Sequence, residues 1–455
     1  MNLDSTTIQW IILLLLGGLF VWLAPLAKTK EAFFQAKQDS GKQPSFWILT
    51  SSLVISWIFA KSITNAANLG LSYGIVGGLA YSAYYLSFLA AGIIIFRLRS
   101  IGGFKSIHHF LQTKYGRSAV LLFSLLIGFR LFNEIWSNSM IIGSYFGDIG
   151  STSYYVSILV FTLLTLLYVL KGGLQSSLLT DFIQMILFTA LLVIILILIF
   201  PAVNKPVGEY FNSGTWSLDQ GVNLLLVALL QVFSYPFHDP VLTDRAFILP
   251  PKATLKSFAV ATVIGFACIL LFSFIGVAAK FLGASGQAAV EIGKILGVVP
   301  MLMLNLIMIT SAASTIDSAI TSFSKLSVQD TLPQQKQTLK RGRIMMIIIT
   351  VVGTIPVFLD AEILSATTIS GTMVIGLAPI FLFWRMKAPK ISYFLSLFFG
   401  IMIGVLIATG AYPKQLHIST GKYADLLSAN LYGTIGCFIL FLVPALLSWG
   451  RKQKT

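Results

Sequence analysis

Long apolar runs separated by short polar loops follow one another along the whole chain. Windows of about 20 apolar residues, the length that spans a hydrocarbon core, fit thirteen segments. These segments are 7–26, 47–70, 72–96, 119–145, 153–170, 177–201, 221–239, 257–280, 297–324, 343–360, 362–384, 391–411 and 430–449. The pattern predicts an all-α polytopic membrane protein with about thirteen transmembrane helices.

Composition supports this class of protein. Apolar residues make up 56% of the 455 residues, charged residues only 10%, and the mean hydropathy is +0.87. Such values are not those of a water-soluble chain. The two cysteines, Cys268 and Cys437, both lie in apolar runs and predict neither a disulfide framework nor a metal cluster. We expect residues 1–455 to form one integral membrane domain, with 8–26 retained as its first helix rather than removed as a signal peptide.

Basic residues are unevenly distributed between alternate loops. If the amino terminus lies outside and the carboxyl terminus in the cytoplasm, most of the 31 Lys and Arg residues fall on the cytoplasmic side. The positive-inside rule therefore predicts this orientation in a plasma membrane, or in the inner membrane of a Gram-negative cell. Contact with anionic lipid explains the net charge of +15, so no nucleic-acid partner is needed.

Two of the predicted helices contain features that interrupt a helix. The segment 47–70 is unusually polar for a span, and the segment 221–239 ends in a stretch containing Pro236, followed by Pro240. Transporters place ligand sites where two helices break near the membrane midplane, because the break frees backbone carbonyls. A proline kink with a purely structural role is the alternative for the second segment.

Intramembrane oxygen atoms form the third pattern. Asp181 follows a turn at Gly172 and Gly173, and an acid inside a lipid-embedded helix normally faces a partner, a cavity or an ion path. On the helix 297–324, residues three and four apart share a face, so a hydroxyl stripe is predicted that consists of Ser311, Ser314, Thr315 and Ser318. An oxygen-only lining suits a hard monovalent cation. The alternative is that these hydroxyl groups serve close helix packing or bond to their own backbone.

Two segments resemble motifs of the sodium/solute symporter family, the relatives of sodium/glucose, sodium/proline and sodium/sialic acid symporters. The segment 151–184 follows the family signature, with an aromatic residue, a ten-residue apolar run, a second aromatic residue and Gly-Gly-Leu-x-Ser. In SAASTIDSAITSFSKLSVQD, the pair Ser314 and Thr315 begins sixteen residues before Asp330, a spacing that resembles the eighth core helix of the family. The resemblance implies the LeuT-type fold with a 5+5 inverted repeat. It places a ten-helix core at 46–386, an extra helix and cytoplasmic loop at 1–45, and two additional helices at 387–455.

The resemblance also implies functional residues. In the family, two hydroxyl groups and three backbone carbonyls bind sodium, and in this chain they correspond to the hydroxyls of Ser314 and Thr315 and the carbonyls of Ser311, Ile55 and Ile58. A second cation in some members corresponds to a site at Asp181, Asp317 and Ser318. Tyr235, ten residues before Arg245, corresponds to the inner gating tyrosine.

Lys61 departs from the family pattern, because sugar-carrying members have a substrate-binding acid there. The sequence is therefore a poor candidate for sugar transport. Three alternatives remain for this lysine: an ion pair of Glu134 with Lys61 or with Arg130, contact with an anionic substrate, or a fixed cation that replaces sodium. The substrate and gate candidates are Lys61, Ser62, Asn65, Glu134 and Tyr235.

The expected function is sodium-coupled uptake of a small polar or anionic organic solute by alternating access. Proton-coupled or sodium-independent transport based on Lys61 is the alternative, and a non-transporting membrane sensor is a distant one. We expect sodium as the coupling ion with no other metal and no cofactor, the lipid bilayer as the environment, and no obligate protein partner. No nucleophile and base pattern indicates an enzyme.

Overall fold

The computed structural model describes residues 5–37, 42–359 and 371–452. Within these ranges all regular structure is helical. The α-helices, numbered α1 to α20 in chain order, are Ser5–Leu23, Lys30–Gln35, Phe46–Ile55, Ala60–Tyr73, Ile75–Ser82, Leu86–Ser100, Ile107–Tyr115, Arg117–Phe146, Thr152–Gly172, Leu174–Val203, Val207–Phe211, Val222–Gln231, Pro240–Arg245, Pro251–Phe281, Ala288–Leu296, Val298–Lys325, Leu339–Thr354, Leu377–Leu382, Lys390–Ala408 and Ala424–Lys452. The all-α polytopic class is confirmed.

Within the described ranges, fewer continuous spans are found than the thirteen helices predicted. In the described part of the chain, 10 helices are long and apolar enough to cross a membrane, and the bent pair α3 and α4 brings the number to 11. Of the two remaining predicted segments, 221–239 is interrupted after α12, which ends at Gln231. The other, 362–384, begins in residues outside the described ranges. Within them, residues 371–373 are helical and α18 follows.

Contacts between Cα atoms divide the chain into two compact units, which we call unit 1 and unit 2. Unit 1 comprises Met1–Gly78, Leu131–Gly214 and Val263–Ala361, and unit 2 comprises Leu79–Arg130, Thr215–Thr262 and Glu362–Thr455. Each unit contains an interrupted helix among its described residues. The single integral domain expected from the sequence stays a prediction, as do the boundaries of the ten-helix core.

The interrupted helix of unit 1 is the pair α3 and α4. The Ser45 hydroxyl caps the start of α3 by accepting the Ile48 N–H at 3.3 Å. The helix ends at Ile55, helical structure resumes at Ala60, and the axes differ by 59°. Phe59 is extended, with φ −60° and ψ 152°, and so separates the two halves. The predicted break in the segment 47–70 is therefore present, although no proline causes it.

Two glycine residues allow the backbones of α4 and α14 to lie in direct contact. A Cβ atom on Gly276 would lie 1.7 Å from the carbonyl oxygen of Ala67, and one on Gly70 would lie 2.2 Å from that of Ser273. Neither distance is compatible with a side chain, so both positions require glycine. Small residues at such contacts allow transmembrane helices to approach closely.

A second glycine position shapes the turn before α10. Gly173 has φ +58°, and a Cβ atom there would lie 2.4 Å from the carbonyl oxygen of Phe33. Both the left-handed conformation and the lack of space require glycine. The turn predicted from the Gly-Gly pair is confirmed, and it places Asp181 in the third turn of α10.

The interrupted helix of unit 2 runs from α12 through a 3₁₀ turn, Tyr235–His238, to α13. Pro240 occupies the first position of α13, where no N–H bond is lost. Arg99 at the end of α6 donates to the carbonyls of Ala246 at 2.6 Å and Leu249 at 2.8 Å. This guanidinium fixes the loop that follows α13.

Candidate functional site

Asp181 is completely buried in unit 1 and joins three helices. Its two carboxylate oxygens accept hydrogen bonds from the hydroxyl groups of Ser52 on α3 and Ser314 on α16. Hydrogen bonds to a charged acceptor are stronger than those between neutral groups. Asp181, which the sequence analysis identified, therefore connects α10 to α3, the first half of the interrupted helix, and to the hydroxyl stripe of α16.

Asp317 is a second completely buried acid, and hydroxyl groups from three helices surround it. Oδ2 accepts from Tyr168 of α9 at 2.7 Å and from Thr180 of α10 at 3.0 Å. Oδ1 accepts from Ser177 of α10 at 2.8 Å and from its neighbour Ser318 at 3.2 Å. Each of these bonds is donated by a neutral hydroxyl group rather than by a charged side chain.

We call these residues together the hydroxyl cluster. Its members are Ser52, Tyr168, Ser177, Thr180, Asp181, Ser314, Asp317 and Ser318, each at most 1% exposed. The spacing of 177, 180 and 181 on α10 and of 314, 317 and 318 on α16 puts each set on one helix face. Oxygen atoms alone suit hard cations and protons rather than transition metals. In the described part of the chain, no group of three or more His, Cys, Asp or Glu residues could hold a metal ion.

The residues of the predicted first sodium site lie on two elements of unit 1. Ser311, Ser314 and Thr315 share one face of α16, and Ile55 and Ile58 lie at the end of α3 and in the break. The Thr315 hydroxyl donates to the carbonyl of Ser311 at 2.9 Å. The Ser311 hydroxyl is buried and makes no hydrogen bond to the described residues. The carbonyl of Ile55 accepts the Ile58 N–H at 3.1 Å. The five-ligand set stays a prediction.

Lys61 forms the ion pair with Glu134 that was one of its three alternatives. Nζ lies 2.8 Å from Oε2, and the two side chains are only 11% and 6% exposed. Nζ also lies 5.0 Å from the ring centroid of Phe59. Of the other substrate candidates on α4, Ser62 is buried and Asn65 is half-buried. The positive charge of Lys61 is thus offset inside unit 1.

Tyr235, the predicted gate, belongs to a buried charged network of unit 2. Arg130 Nη2 lies 2.6 Å from Asp239 Oδ2, and Nη1 donates to the Tyr235 hydroxyl at 3.1 Å. The guanidinium also lies 5.1 Å from the Tyr235 ring centroid. His238 Nδ1 donates to the Tyr235 carbonyl at 2.6 Å, which leaves Nε2 facing Arg130 at 3.5 Å. The arginine therefore holds the 3₁₀ turn together, and the gate role of Tyr235 stays a prediction.

Sequence reasoning did not identify several members of these two sites. Ser52, Tyr168 and Ser177 were not among the candidates, and Asp239 was not paired with Arg130. Ser52 lies 129 residues from Asp181, and Tyr168 lies 149 residues from Asp317. Periodicity assigns residues to helix faces, but it does not pair faces this far apart. The available signal was the presence of polar side chains in otherwise apolar helices.

Two transporters are similar to this chain in sequence. No family model matches the chain. The urea-proton symporter DUR3 of Oryza sativa subsp. japonica is 21% identical over 97% of this chain and 71% of its own length. The urea active transporter of Saccharomyces cerevisiae is 23% identical over 54% of this chain and 36% of its own length.

Solved structures of symporters share the fold. A Na⁺-coupled sialic acid symporter in a substrate-bound, outward-open state has a TM-score of 0.72 at 16% identity, covering 98% of both chains. Mhp1, a nucleobase-cation-symport-1 family transporter, has a TM-score of 0.57 at 15% identity, covering 94% of this chain and 96% of its own. The sequence relatives and the structural neighbours are all membrane transporters, and the chain has the LeuT-type fold predicted from its sequence.

Proposed function

We propose that this chain is a secondary active symporter that couples the inward flow of a monovalent cation to uptake of a small, uncharged polar solute such as urea. The hydroxyl cluster carries the proposal. Two buried carboxyl groups, surrounded by hydroxyl groups and linking the first interrupted helix to α10 and α16, form a place for a small cation. The proposed location is the plasma membrane, with the amino terminus outside and the carboxyl terminus in the cytoplasm.

The proposed solute follows from Lys61 and from the relatives. Because Glu134 offsets the charge of Lys61, an anionic solute would have to displace a buried carboxylate in order to use this lysine. An uncharged solute with amide-like groups needs only hydrogen bonds. Two sequence relatives are named as urea transporters, and one of these matches almost the whole chain.

Sodium is the first candidate for the coupling ion. The proposed ligands are the hydroxyls of Ser314 and Thr315 with the carbonyls of Ser311, Ile55 and Ile58. At the helix break the Ile55 carbonyl accepts the Ile58 N–H at 3.1 Å. A carbonyl oxygen has two lone pairs, so it can also bind a cation, and hard cations prefer oxygen ligands. The Na⁺-coupled structural neighbour supports sodium. A proton is the second candidate, because Asp181 and Asp317 can both be protonated and because the rice relative is named a proton symporter.

In the proposed mechanism, the transporter changes conformation at the breaks in the two interrupted helices. Cation binding at the break between α3 and α4 favours one state of the transporter, and solute binding favours the same state. By linkage, the cation raises the affinity for the solute by the same factor as the solute raises the affinity for the cation. Tyr235, at the break of the second helix, is the proposed inner gate.

The test is uptake of radiolabelled urea by proteoliposomes that contain the purified protein. Uptake is compared under an inward sodium gradient, an inward proton gradient and no gradient. We expect gradient-driven accumulation, and we expect Ser314→Ala with Thr315→Ala to abolish the sodium-driven part. Thr350→Ala is the matched control, because its buried hydroxyl donates to its own helix backbone at Met346. Absence of urea uptake under every gradient would reject the proposed solute, and sodium-driven uptake by the double variant would reject the sodium site.

A further inference from the structure

A cavity lies in unit 1 between the starts of α3 and α10. Its volume is about 160 Å³. Its walls come from the chain that connects α1 to α3, from the first turn of α3 and from the first two turns of α10, and include Ala36, Pro44, Ile48, Leu178 and Leu179. An apolar cavity of about this size stays dry and takes up an apolar guest as large as benzene. The cavity can therefore hold part of a hydrocarbon chain.

The cavity lies where apolar surface meets the polar loops. Leu26 follows the lining residue Pro25 and is 57% exposed, and Trp47 precedes the lining residue Ile48 and is 59% exposed. Tryptophan is enriched at membrane–water interfaces, because its ring is apolar and its N–H is polar. Pro25, Ile48 and Leu179 are themselves only half-buried. A lipid of the adjoining leaflet can therefore reach the cavity.

Positive charge surrounds the same connection. Residues 24–45 contain four lysines and only two acids, which are Lys28, Lys30, Lys37 and Lys42 against Glu31 and Asp39. Lys37 directly follows Ala36, and Lys42 lies two residues before Pro44, so these two lysines flank lining residues. Arg343 of α17 adds a charge beside α2, with its guanidinium 5.8 Å from an aromatic ring of that helix. Lysine and arginine at this level attract anionic lipid headgroups.

The headgroup decides which lipid is preferred. An acyl chain in the bilayer is already in apolar surroundings, so moving it into an apolar cavity gains little from the hydrophobic effect. The charge near the cavity does distinguish an anionic phospholipid from a zwitterionic one. Gln175 is the polar side chain of the lining, and its amide group can donate to an ester carbonyl of the same lipid.

The cavity shares the neighbour α3 with the hydroxyl cluster. With 3.6 residues per turn, residues 175, 178 and 179 lie on a different face of α10 from the cluster residues 177, 180 and 181. On α3, Ile48 lies one turn before Ser52, which donates to Asp181. A guest in the cavity would therefore act as a spacer between α3 and α10, one turn away from the hydrogen bond that joins them.

We infer that this cavity binds an acyl chain of an anionic phospholipid, with the phosphate group near Lys37 and Lys42. The bound lipid holds α3 at a fixed distance from α10 and so stabilises the arrangement of the cation-binding oxygens. This regulatory effect rests on the proposed symport function, whereas the binding of the lipid does not depend on transport.

The test is native mass spectrometry of the purified full chain in detergent micelles. The micelles contain equal amounts of phosphatidylglycerol and phosphatidylcholine with the same acyl chains. We expect the wild type to retain phosphatidylglycerol in preference to phosphatidylcholine. Leu179→Trp fills the cavity and should lose this retention. Ile197→Trp is the matched control, because Ile197 lies on the same helix and is 62% exposed, and it should behave as the wild type.

The charge is tested separately from the cavity. Lys37→Gln with Lys42→Gln should lower the preference for phosphatidylglycerol by about thirtyfold, the factor that corresponds to about 1 kcal/mol for each lysine. Lys252→Gln with Lys256→Gln removes two exposed lysines elsewhere on the predicted cytoplasmic side and should keep the preference. These variants change side chains that are exposed or half-buried, so they remain informative if Leu179→Trp does not fold.

Four outcomes would overturn the inference. A wild type that retains no lipid, or that retains both lipids equally, would reject a site for an anionic phospholipid. Retention by Leu179→Trp equal to that of Ile197→Trp would show that the lipid binds outside this cavity. An unchanged preference after the loss of Lys37 and Lys42 would place the phosphate group elsewhere.

Transport separates the regulatory effect from the proposed function. Wild-type proteoliposomes that contain phosphatidylglycerol should accumulate radiolabelled urea faster than those made of phosphatidylcholine alone, and Leu179→Trp should lose this difference. If the wild type takes up no urea in either lipid, the proposed solute fails, but mass spectrometry still decides whether the cavity binds lipid. If Leu179→Trp responds to phosphatidylglycerol as the wild type does, the link between the cavity and transport is rejected even though urea is transported.

Discussion

The buried acids of this protein have two kinds of surroundings. Glu134 and Asp239 are paired with Lys61 and Arg130 at 2.8 Å and 2.6 Å. Asp317 in the hydroxyl cluster is held instead by hydroxyl groups. A carboxylate paired with a fixed side-chain cation cannot exchange that cation for one from solution. A carboxylate held by rotatable hydroxyl groups can bind and release a small cation without breaking the fold.

We expect the two kinds of acid to have different roles in stability and in coupling. Removing one partner of a buried ion pair leaves an uncompensated charge, whereas removing one of several hydroxyl groups leaves the others. The ion pairs are therefore expected to dominate stability, and the hydroxyl cluster to dominate coupling. This difference can be tested by substitutions in the ion pairs and in the hydroxyl cluster, with the free energy of unfolding measured in detergent.

The largest effect is expected at the network of unit 2. Asp239→Asn leaves the buried guanidinium of Arg130 without its carboxylate and should lower the free energy of unfolding by about 3–5 kcal/mol. Denaturant titration measures the loss. The double variant Arg130→Met with Asp239→Leu removes both charges and should recover most of it. An Asp239→Asn protein as stable as the wild type would show that this pair does not stabilise the turn.

A smaller loss is expected at the pair Lys61 and Glu134, because the Lys61 side chain is 11% exposed. Glu134→Gln should cost about 3 kcal/mol, the lower end of the range for a broken buried pair. Adding Lys61→Met should cost little more, because the two changes share one interaction. A double-mutant cycle should give a coupling energy between about 0.5 and 3 kcal/mol. Additive losses would contradict the pair.

Removing one hydroxyl group from Asp181 tests the other side of the comparison. Ser52→Ala deletes a hydrogen bond to a carboxylate and should lower the free energy of unfolding by about 1.5 kcal/mol. Thr165→Val is the control, because its buried hydroxyl donates to its own helix backbone at Phe161. We expect the control to lose clearly less. A loss at Ser52 as large as that of Asp239→Asn would remove the proposed difference between the two settings.

The smallest effect is expected at an ion pair on the surface. Lys205 and Glu209 lie 2.9 Å apart with side chains 46% and 43% exposed. Lys205→Ala should change the free energy of unfolding by only about 0.3 kcal/mol, and less at high salt. Thermal unfolding at two salt concentrations checks this. A loss above about 1 kcal/mol, the upper limit for exposed pairs, would mean that burial does not explain the strength of the internal pairs.

Much of the fold could be predicted from the sequence because lipid imposes long apolar helices. The break in 47–70 was predicted from its polar second half, and that in 221–239 from Pro236 and Pro240. The structure nevertheless interrupts the first helix without a proline, at an extended Phe59. Within the described residues fewer continuous spans are found than predicted, because a hydropathy window passes over such interruptions and because 362–384 begins outside the described residues. α12, for example, ends at Gln231 although apolar residues continue.

The candidate site was predictable only in part, and for a physical reason. An acid in an apolar helix stands out by its cost, and this identified Asp181. Asp317 was named through the family resemblance, and Glu134 as an ion-pair partner. Their hydroxyl partners do not stand out in this way, because serine and threonine also satisfy their own helix backbones, as Thr165 does. Which hydroxyl faces an acid depends on how helices far apart in sequence are packed. The pairing of Lys61 with Glu134 was one of three alternatives, and only the three-dimensional structure distinguishes among them.

The glycine contact between α4 and α14 has a mechanical consequence. With Gly276 against Ala67 and Gly70 against Ser273, the two backbones touch, so the helices cannot slide past each other without collision or part without opening a gap. We therefore expect α4 and α14 to move together as one rigid unit. We expect any tilt of α4 to be taken up by the residues 56–59, so the bend would act as a hinge next to the proposed cation-binding oxygens.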